Sequence, residues 1–482
     1  MSIQKLFFSN ALLIVLLNLL IKPFYLFGID AQVQNTVGSA DYGLYFSLLN
    51  LSFLFNMVLD MGLTNYNTRN IAQHPNLVAR YIGSILGIRM LLGLIYASIT
   101  IGAGFLLHYS DSQLYLLSFL VLNQFLAGLT LFFRSNFAGL HQFKTDALLS
   151  VLDRLLLIGI CIVLLYTEHF KASFKIEWFV YAQTFSYGIA CGVAGIGLYL
   201  KTRFKKISIK RIFSYALLKK SSPYALLVLL MMLYTRIDAV MLERLLPDGK
   251  IQSGIYAQGF RLLDAANIFG LLIAGLLLPI FSRLLKQKET IVPLLNSAGL
   301  LLIGASLTFS IITSLFAHPI FELIYRNNVA SSAQLFPWII FSFVPICGAY
   351  LFGTLLTANG SLRLLNSMAI TAIIVNTVLN FILIPSYKAE GAAIATLITQ
   401  VFAGLFQALL VMKVFKLRIH FKSIGKLALQ AALLLSTYYF LSETTTNTLV
   451  AIITLCLIGT LGLLLFRIIS IEGVKGLLRR GG

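Results

Sequence analysis

The chain has 482 residues, 59% of them hydrophobic and 11% charged. A soluble globular domain carries roughly 25% charged residues, so this composition excludes a water-soluble fold. The net charge of +20, from 37 Lys and Arg against 17 Asp and Glu, would suggest nucleic acid in a soluble protein. Here most of the cations gather in loops on one side of long apolar runs, and no nucleic-acid partner is expected.

The runs are long enough to cross a ~30 Å hydrocarbon core as helices, and they lack the short alternating pattern of a membrane barrel. The first follows Lys5 and resembles a signal peptide. Lys22-Pro23 interrupts it and no small-x-small cleavage site follows, so an uncleaved span is expected. In chain order the sequence predicts spans at 7–29, 41–64, 81–107, 113–133, 147–167, 177–200, 222–246, 252–283, 291–316, 334–357, 362–384, 390–412, 424–442 and 448–467. The expected fold is an all-α polytopic membrane protein of about fourteen transmembrane helices.

The segment 201–220 carries eight Lys and Arg and no acid. It reads either as a plain linker or as an amphipathic stretch lying on an anionic membrane surface. It separates two blocks of six spans. Gly43-Leu44-Tyr45 opens the second span of the first block, and Gly254-Ile255-Tyr256 opens the second span of the other. Ala138-Gly139-Leu140 and Ala358-Asn359-Gly360 follow the fourth span of each. Such a repeat implies two blocks related by an axis along the membrane normal. The expected division is 1–200 (spans one to six), 201–221 (basic linker), 222–412 (spans seven to twelve) and 413–482 (spans thirteen and fourteen with a tail).

Orientation follows from the cations. Of the 37 Lys and Arg, 27 fall on the side of the N-terminus and 6 on the other, with Lys22, Arg89, Arg236 and Arg261 inside spans. Positive loops stay inside, so both termini are expected in the cytoplasm. The cysteines Cys161, Cys191, Cys347 and Cys456 lie within apolar runs and read as packing residues. The histidines show no metal spacing.

No Walker loop, HExxH or GxSxG motif is present, and no loop is long enough for a catalytic domain. An enzyme is therefore not expected, nor is a bound cofactor. Attention falls on the charges inside the spans, which are costly unless they serve a function or a partner. Arg236 lies roughly 21 Å along its span, Arg261 roughly 14 Å and Lys22 roughly 22 Å. Three deep cations suggest an anion-binding cavity, and the planar fork of arginine suits phosphate. The competing reading pairs Arg261 with Asp264, three residues on, and lets Lys22 snorkel to the interface. Arg236 and Asp238 are two apart and face different ways. Asp238 and Asp264 are candidates for coupling or pairing acids. Asp60, Arg69 and Arg134, at cytoplasmic ends, are candidates for structural or gate residues. Arg89 reads as an interface contact.

Asn376-Thr-Val-Leu-Asn380-Phe-Ile-Leu-Ile-Pro385 with Glu390-Gly-Ala-Ala-Ile-Ala-Thr396 resembles a signature of bacterial polysaccharide flippases. These are relatives of multidrug-and-toxin-extrusion transporters and of the lipid II flippase. Arg236-Ile-Asp238-x-x-Met241-Leu242, Leu59-Asp60-Met61-Gly62-Leu63 and Tyr66-Asn67-Thr68-Arg69-Asn70 resemble further segments of that family. The resemblance implies two six-helix lobes in a V, with two extra C-terminal helices. It implies a cargo of undecaprenyl-diphosphate-linked oligosaccharide, flipped to the outer leaflet of the bacterial cytoplasmic membrane for O-antigen, capsule or exopolysaccharide synthesis. Lys22, Arg236 and Arg261 would hold the diphosphate. Movement would be coupled to membrane potential, H+ or Na+, and a polysaccharide polymerase is a further expected partner. The alternatives are an ion-coupled drug antiporter of the same fold and a non-transporting scaffold of a glycan assembly complex.

Overall fold

The computed structural model describes residues 17–18, 20–64, 67, 71, 78–140, 142–203, 211–417, 421–444, 447–466 and 468. The described residues are helical with no strand, as lipid demands: a helix satisfies its own backbone polar groups without water. Among the described residues, twelve helical segments are long and apolar enough to cross a membrane. Two of these, Leu20–Asp60 and Leu362–Phe415, hold 41 and 54 residues. A straight helix of 54 residues would reach roughly 80 Å, far beyond a ~30 Å core. Each contains a non-helical residue between two expected spans: Gly38 at φ 83° and Lys388 at φ 53°. Read as two spans apiece, they bring the described helices to the fourteen that the apolar runs predict.

We number these α1 (20–37), α2 (39–54), α3 (Val78–Leu106), α4 (Asp111–Gly139), α5 (Phe143–Tyr166), α6 (Ile176–Thr202), α7 (Arg211–Leu245), α8 (Gly249–Gln287) and α9 (Val292–Leu315). They continue as α10 (Val329–Phe341 and Phe343–Ala358), α11 (362–387), α12 (389–415), α13 (Phe421–Thr444) and α14 (Thr448–Leu465). Residues 211–220 of the basic linker are helical and continue into α7; 204–210 lie outside the described residues. The expected first span before residue 17 likewise lies outside them.

By contact the chain falls into two units, Met1–Gly254 and Ile255–Gly482. In the first, α4 packs on α6, α5 on α6, and α7 on α2. Thus α7, which opens the second block of the repeat, makes its main described contacts with the first unit. In the second, α9 packs on α10, and α13 and α14 pack on each other and on α9. Gln430 of α13 is fully buried and ties that pair together, donating to Thr308 Oγ1 at 3.1 Å and Gly459 O at 2.9 Å. Cys161, Cys191 and Cys347 are buried, whereas Cys456 is exposed on α14.

The repeat has a physical content. Tyr45 is 1% exposed and accepts a hydrogen bond from Gln183 Nε2 of α6 at 2.8 Å. Its counterpart Tyr256, also 1% exposed, meets Thr396 Oγ1 of α12 at 3.0 Å. In each unit the tyrosine on the second helix of a block is tied to the sixth. The matching glycines meet each other. A Cβ on Gly43 would lie 1.9 Å from Lys250 O, and one on Gly254 would lie 2.1 Å from Ser39 O. Only glycine lets the start of α8 rest backbone-to-backbone on α2, where Gln34 Nε2 also donates to Gly254 O at 2.9 Å.

Candidate functional site

In the first unit, Lys22 precedes Pro23, whose ring removes a backbone donor and disturbs the turn. The helix then widens into a π-helical turn over Tyr25–Asp30, a form that recurs at functional sites. Lys22 is half-buried, and the charges acting on it are those of Arg154, Arg134 and Asp153. Arg154 is the member that the sequence reading misplaced, counting it with the cytoplasmic loops. It sits ten residues into the span Lys144–Tyr166, roughly 15 Å deep at helical rise. Its guanidinium lies 4.7 Å from the ring centre of Tyr25 and 5.5 Å from that of Tyr187. These are cation–π distances. The neighbouring Asp153 is 3.7 Å from Arg154 Nε, with Arg154 27% exposed. The signal was available: an arginine inside LLSVLDRLLLIG, with apolar residues on both sides.

Other charges of this unit hold helices to one another. Arg89 is 2% exposed and is ion-paired to Asp60; it donates to Thr64 Oγ1 and, at 3.1 Å, to Gly128 O. Its guanidinium also lies 4.8 Å over Phe132. Arg134 Nε donates to Asp146 Oδ1 at 2.7 Å, joining α4 to α5. The structure thus places Asp60 and Arg134 in interhelix clamps. Arg69, the third candidate gate residue, lies outside the described residues. Arg236 of α7 is half-buried with its guanidinium 5.5 Å from the Phe53 ring on α2. Asp238 is 1% exposed on the same helix.

In the second unit, Arg261 Nη1 is 3.9 Å from Asp264 Oδ2, with side-chain exposures of 12% and 20%. This is the loose end of ion pairing, longer than the 2.7–2.9 Å of a charge-assisted hydrogen bond. The flippase-like motif forms a neutral polar core. Asn380 Nδ2 donates to Asn376 Oδ1 at 3.1 Å and Thr396 donates to Ala392 O at 2.9 Å. All three side chains are at most 2% exposed. The motif glycine has a steric reason: a Cβ on Gly391 would lie 2.3 Å from Leu383 O, blocking the return of α12 past α11.

Among the described residues, helices alone, long and apolar enough to cross a membrane many times, define a class, the polytopic α-helical membrane proteins. Similarity agrees. The structure resembles a solved lipid II flippase, MurJ, in an inward closed conformation, with TM-score 0.70 and 16% identity over 96% of this chain and 98% of that one. It also resembles an inward-facing multidrug resistance MATE family transporter, with TM-score 0.63 and 13% identity over 82% of this chain and 96% of that one. In sequence it is 24% identical over 417 residues to the uncharacterized membrane protein YabM of Bacillus subtilis (strain 168), across 80% of this chain and 75% of that protein. A family profile described as polysaccharide biosynthesis protein matches residues 7–285. The chain belongs to that family.

Proposed function

We propose that this transporter flips undecaprenyl-diphosphate-linked oligosaccharide from the inner to the outer leaflet of the bacterial cytoplasmic membrane by alternating access, for surface polysaccharide synthesis. The observation that carries the reading is Arg154, held deep in its span against the Tyr25 and Tyr187 rings, with its charge acting on Lys22. Cations held at this depth against apolar rings are offset by an anionic ligand, and a diphosphate offers charge-assisted, bidentate hydrogen bonds. Arg236 and Arg261 are further proposed phosphate ligands, with Asp264 beside Arg261 and Asp238 a proposed coupling acid. Both termini lie in the cytoplasm, as the loop cations favour. Transport is coupled to membrane potential or to an H+ or Na+ gradient, since moving one charge is worth about 2.3 kcal/mol per 100 mV.

The MATE-like fold favours one second reading, an ion-coupled antiporter of cationic drugs. The cationic surroundings of Lys22 argue against it, because a cationic drug would be repelled there. The deciding experiment measures the leaflet distribution of lipid-linked oligosaccharide in a deletion strain. Accumulation on the inner leaflet, relieved by the wild-type gene and not by an Arg154→Leu gene expressed at equal level, is the expected result. An unchanged distribution, with altered drug sensitivity instead, would support the antiporter.

A further inference from the structure

In the second unit an apolar groove of about 570 Å3 is lined by Leu307, Trp338, Phe341, Pro345, Leu397 and Val401, among others, and no polar surface lines it. Its shape has a local cause. The helical path of α10 breaks at Ser342 between Pro337 and Pro345, as proline requires. Ser310 Oγ of α9 donates to Ile340 O at 2.9 Å across the break. One wall of the groove is exposed: Val401, 39% exposed, belongs to an apolar stripe on α12 with Ile398, Leu405 and Leu409. From Trp338 to Pro345 is seven residues and from Glu390 to Val401 eleven, so the walls run roughly 10–16 Å along the helices. That is about the depth of one leaflet of a ~30 Å core. A cavity without polar atoms holds no ordered water, so hydrocarbon is what fills it.

The mouth of the groove is different. Trp338, 40% exposed, donates its indole N–H to Glu390 Oε1 at 3.1 Å, and Gln334 Nε2 donates to Glu390 Oε2 at 3.3 Å. Tryptophan marks the membrane–water interface. A carboxylate accepts about four hydrogen bonds, so both Glu390 oxygens keep acceptor capacity beyond these two donors. The mouth is thus an acceptor site of negative charge beside a tryptophan, above a slot that fits a chain. We propose that this groove binds one acyl chain of a phospholipid whose headgroup carries a primary ammonium, seated on the Glu390 carboxylate. The proposal is independent of the cargo. An anionic lipid would meet the Glu390 charge as a repulsion.

The chain has two tryptophans, so a full-length Trp178→Phe protein reports on Trp338 alone. It is reconstituted in phosphatidylcholine bilayers containing increasing fractions of brominated-chain phosphatidylethanolamine or brominated-chain phosphatidylglycerol. The expected result is half-maximal quenching at roughly two- to five-fold lower fraction of the ethanolamine lipid, the range of an interfacial ion pair. On the same background Glu390→Gln abolishes the preference. Val401→Phe, which fills the slot from an exposed position away from the mouth, lowers quenching by both lipids. Equal quenching in the unaltered groove, a preference for the glycerol lipid, a preference surviving Glu390→Gln, or quenching unchanged by Val401→Phe would each overturn the assignment.

Discussion

The two units share a hydrogen bond and differ in what surrounds it. In one, Tyr45 is tied to Gln183, and the neighbouring helices carry intramembrane charge: Asp60 with Arg89, Arg134 with Asp146, and Arg154 on its tyrosines. In the other, Tyr256 is tied to Thr396, and the partners nearby are amides and hydroxyls, Asn376 and Asn380 among them. A common scaffold therefore carries two interiors. Buried ion pairs fix helices at a high desolvation cost and fail badly when one member is lost. Neutral networks fix helices more gently. Framework duty thus falls to paired charges in the first unit and largely to neutral groups in the second, where Arg261 and Asp264 form a loose pair.

The sharpest way to break this contrast is Asp60→Asn. This leaves Arg89, 2% exposed, without its counter-charge, and should cost about 3–5 kcal/mol. Thermal melting in detergent and membrane abundance should both fall. The double change Asp60→Leu with Arg89→Met should recover most of the loss; if it does not, the clamp is more than a pair. Next is Arg154→Leu, which removes the deep cation without emptying a core. Transport should fall at least about tenfold at normal abundance, on the scale of a charge-assisted hydrogen bond. Arg154→Lys should restore a part, because a point charge lacks the fork. Full activity in Arg154→Leu would remove the charged interior from the cargo path.

Smaller effects test the neutral side. Asn380→Leu removes the Nδ2 donor to Asn376 Oδ1, and should lower stability by about 1–3 kcal/mol while leaving cargo affinity per folded molecule unchanged. The smallest effect belongs to the Arg261–Asp264 pair, whose 3.9 Å separation suggests a coupling below about 1 kcal/mol in a double-mutant cycle. If Arg261→Ala abolishes glycan display at normal abundance and Asp264→Ala does not repair it, Arg261 acts on cargo. Recovery in the double mutant would make it structural.

The spans were legible because crossing a bilayer needs an uninterrupted apolar run, which sequence displays directly. Even the fold-back points fell where the runs are punctuated, at Gly38 and Lys388. Side-chain partnership was not legible. Asp60 and Arg89 are 29 positions apart, and nothing in either neighbourhood names the other. Arg154 was misplaced for a related reason: a cation seven residues into an expected span reads as a cytoplasmic end until the helix is seen to begin earlier, at Phe143. The Arg261–Asp264 pairing, three apart on one helix, could be anticipated because helical spacing is local. The glycine repeat was visible as a repeat, but not that its two copies touch.

That last contact has a kinetic consequence. Where Gly43 meets Lys250 and Gly254, main chain rests on main chain, with the Gln34 side chain donating to Gly254 O beside it. The joint has few side chains to choose a new rotamer and little ordering entropy to exchange. Any motion that parts α2 from the start of α8 can thus re-form the same contact without a search. Repeatability, more than strength, is what such a joint gives a machine that must return to the same shape at every turnover.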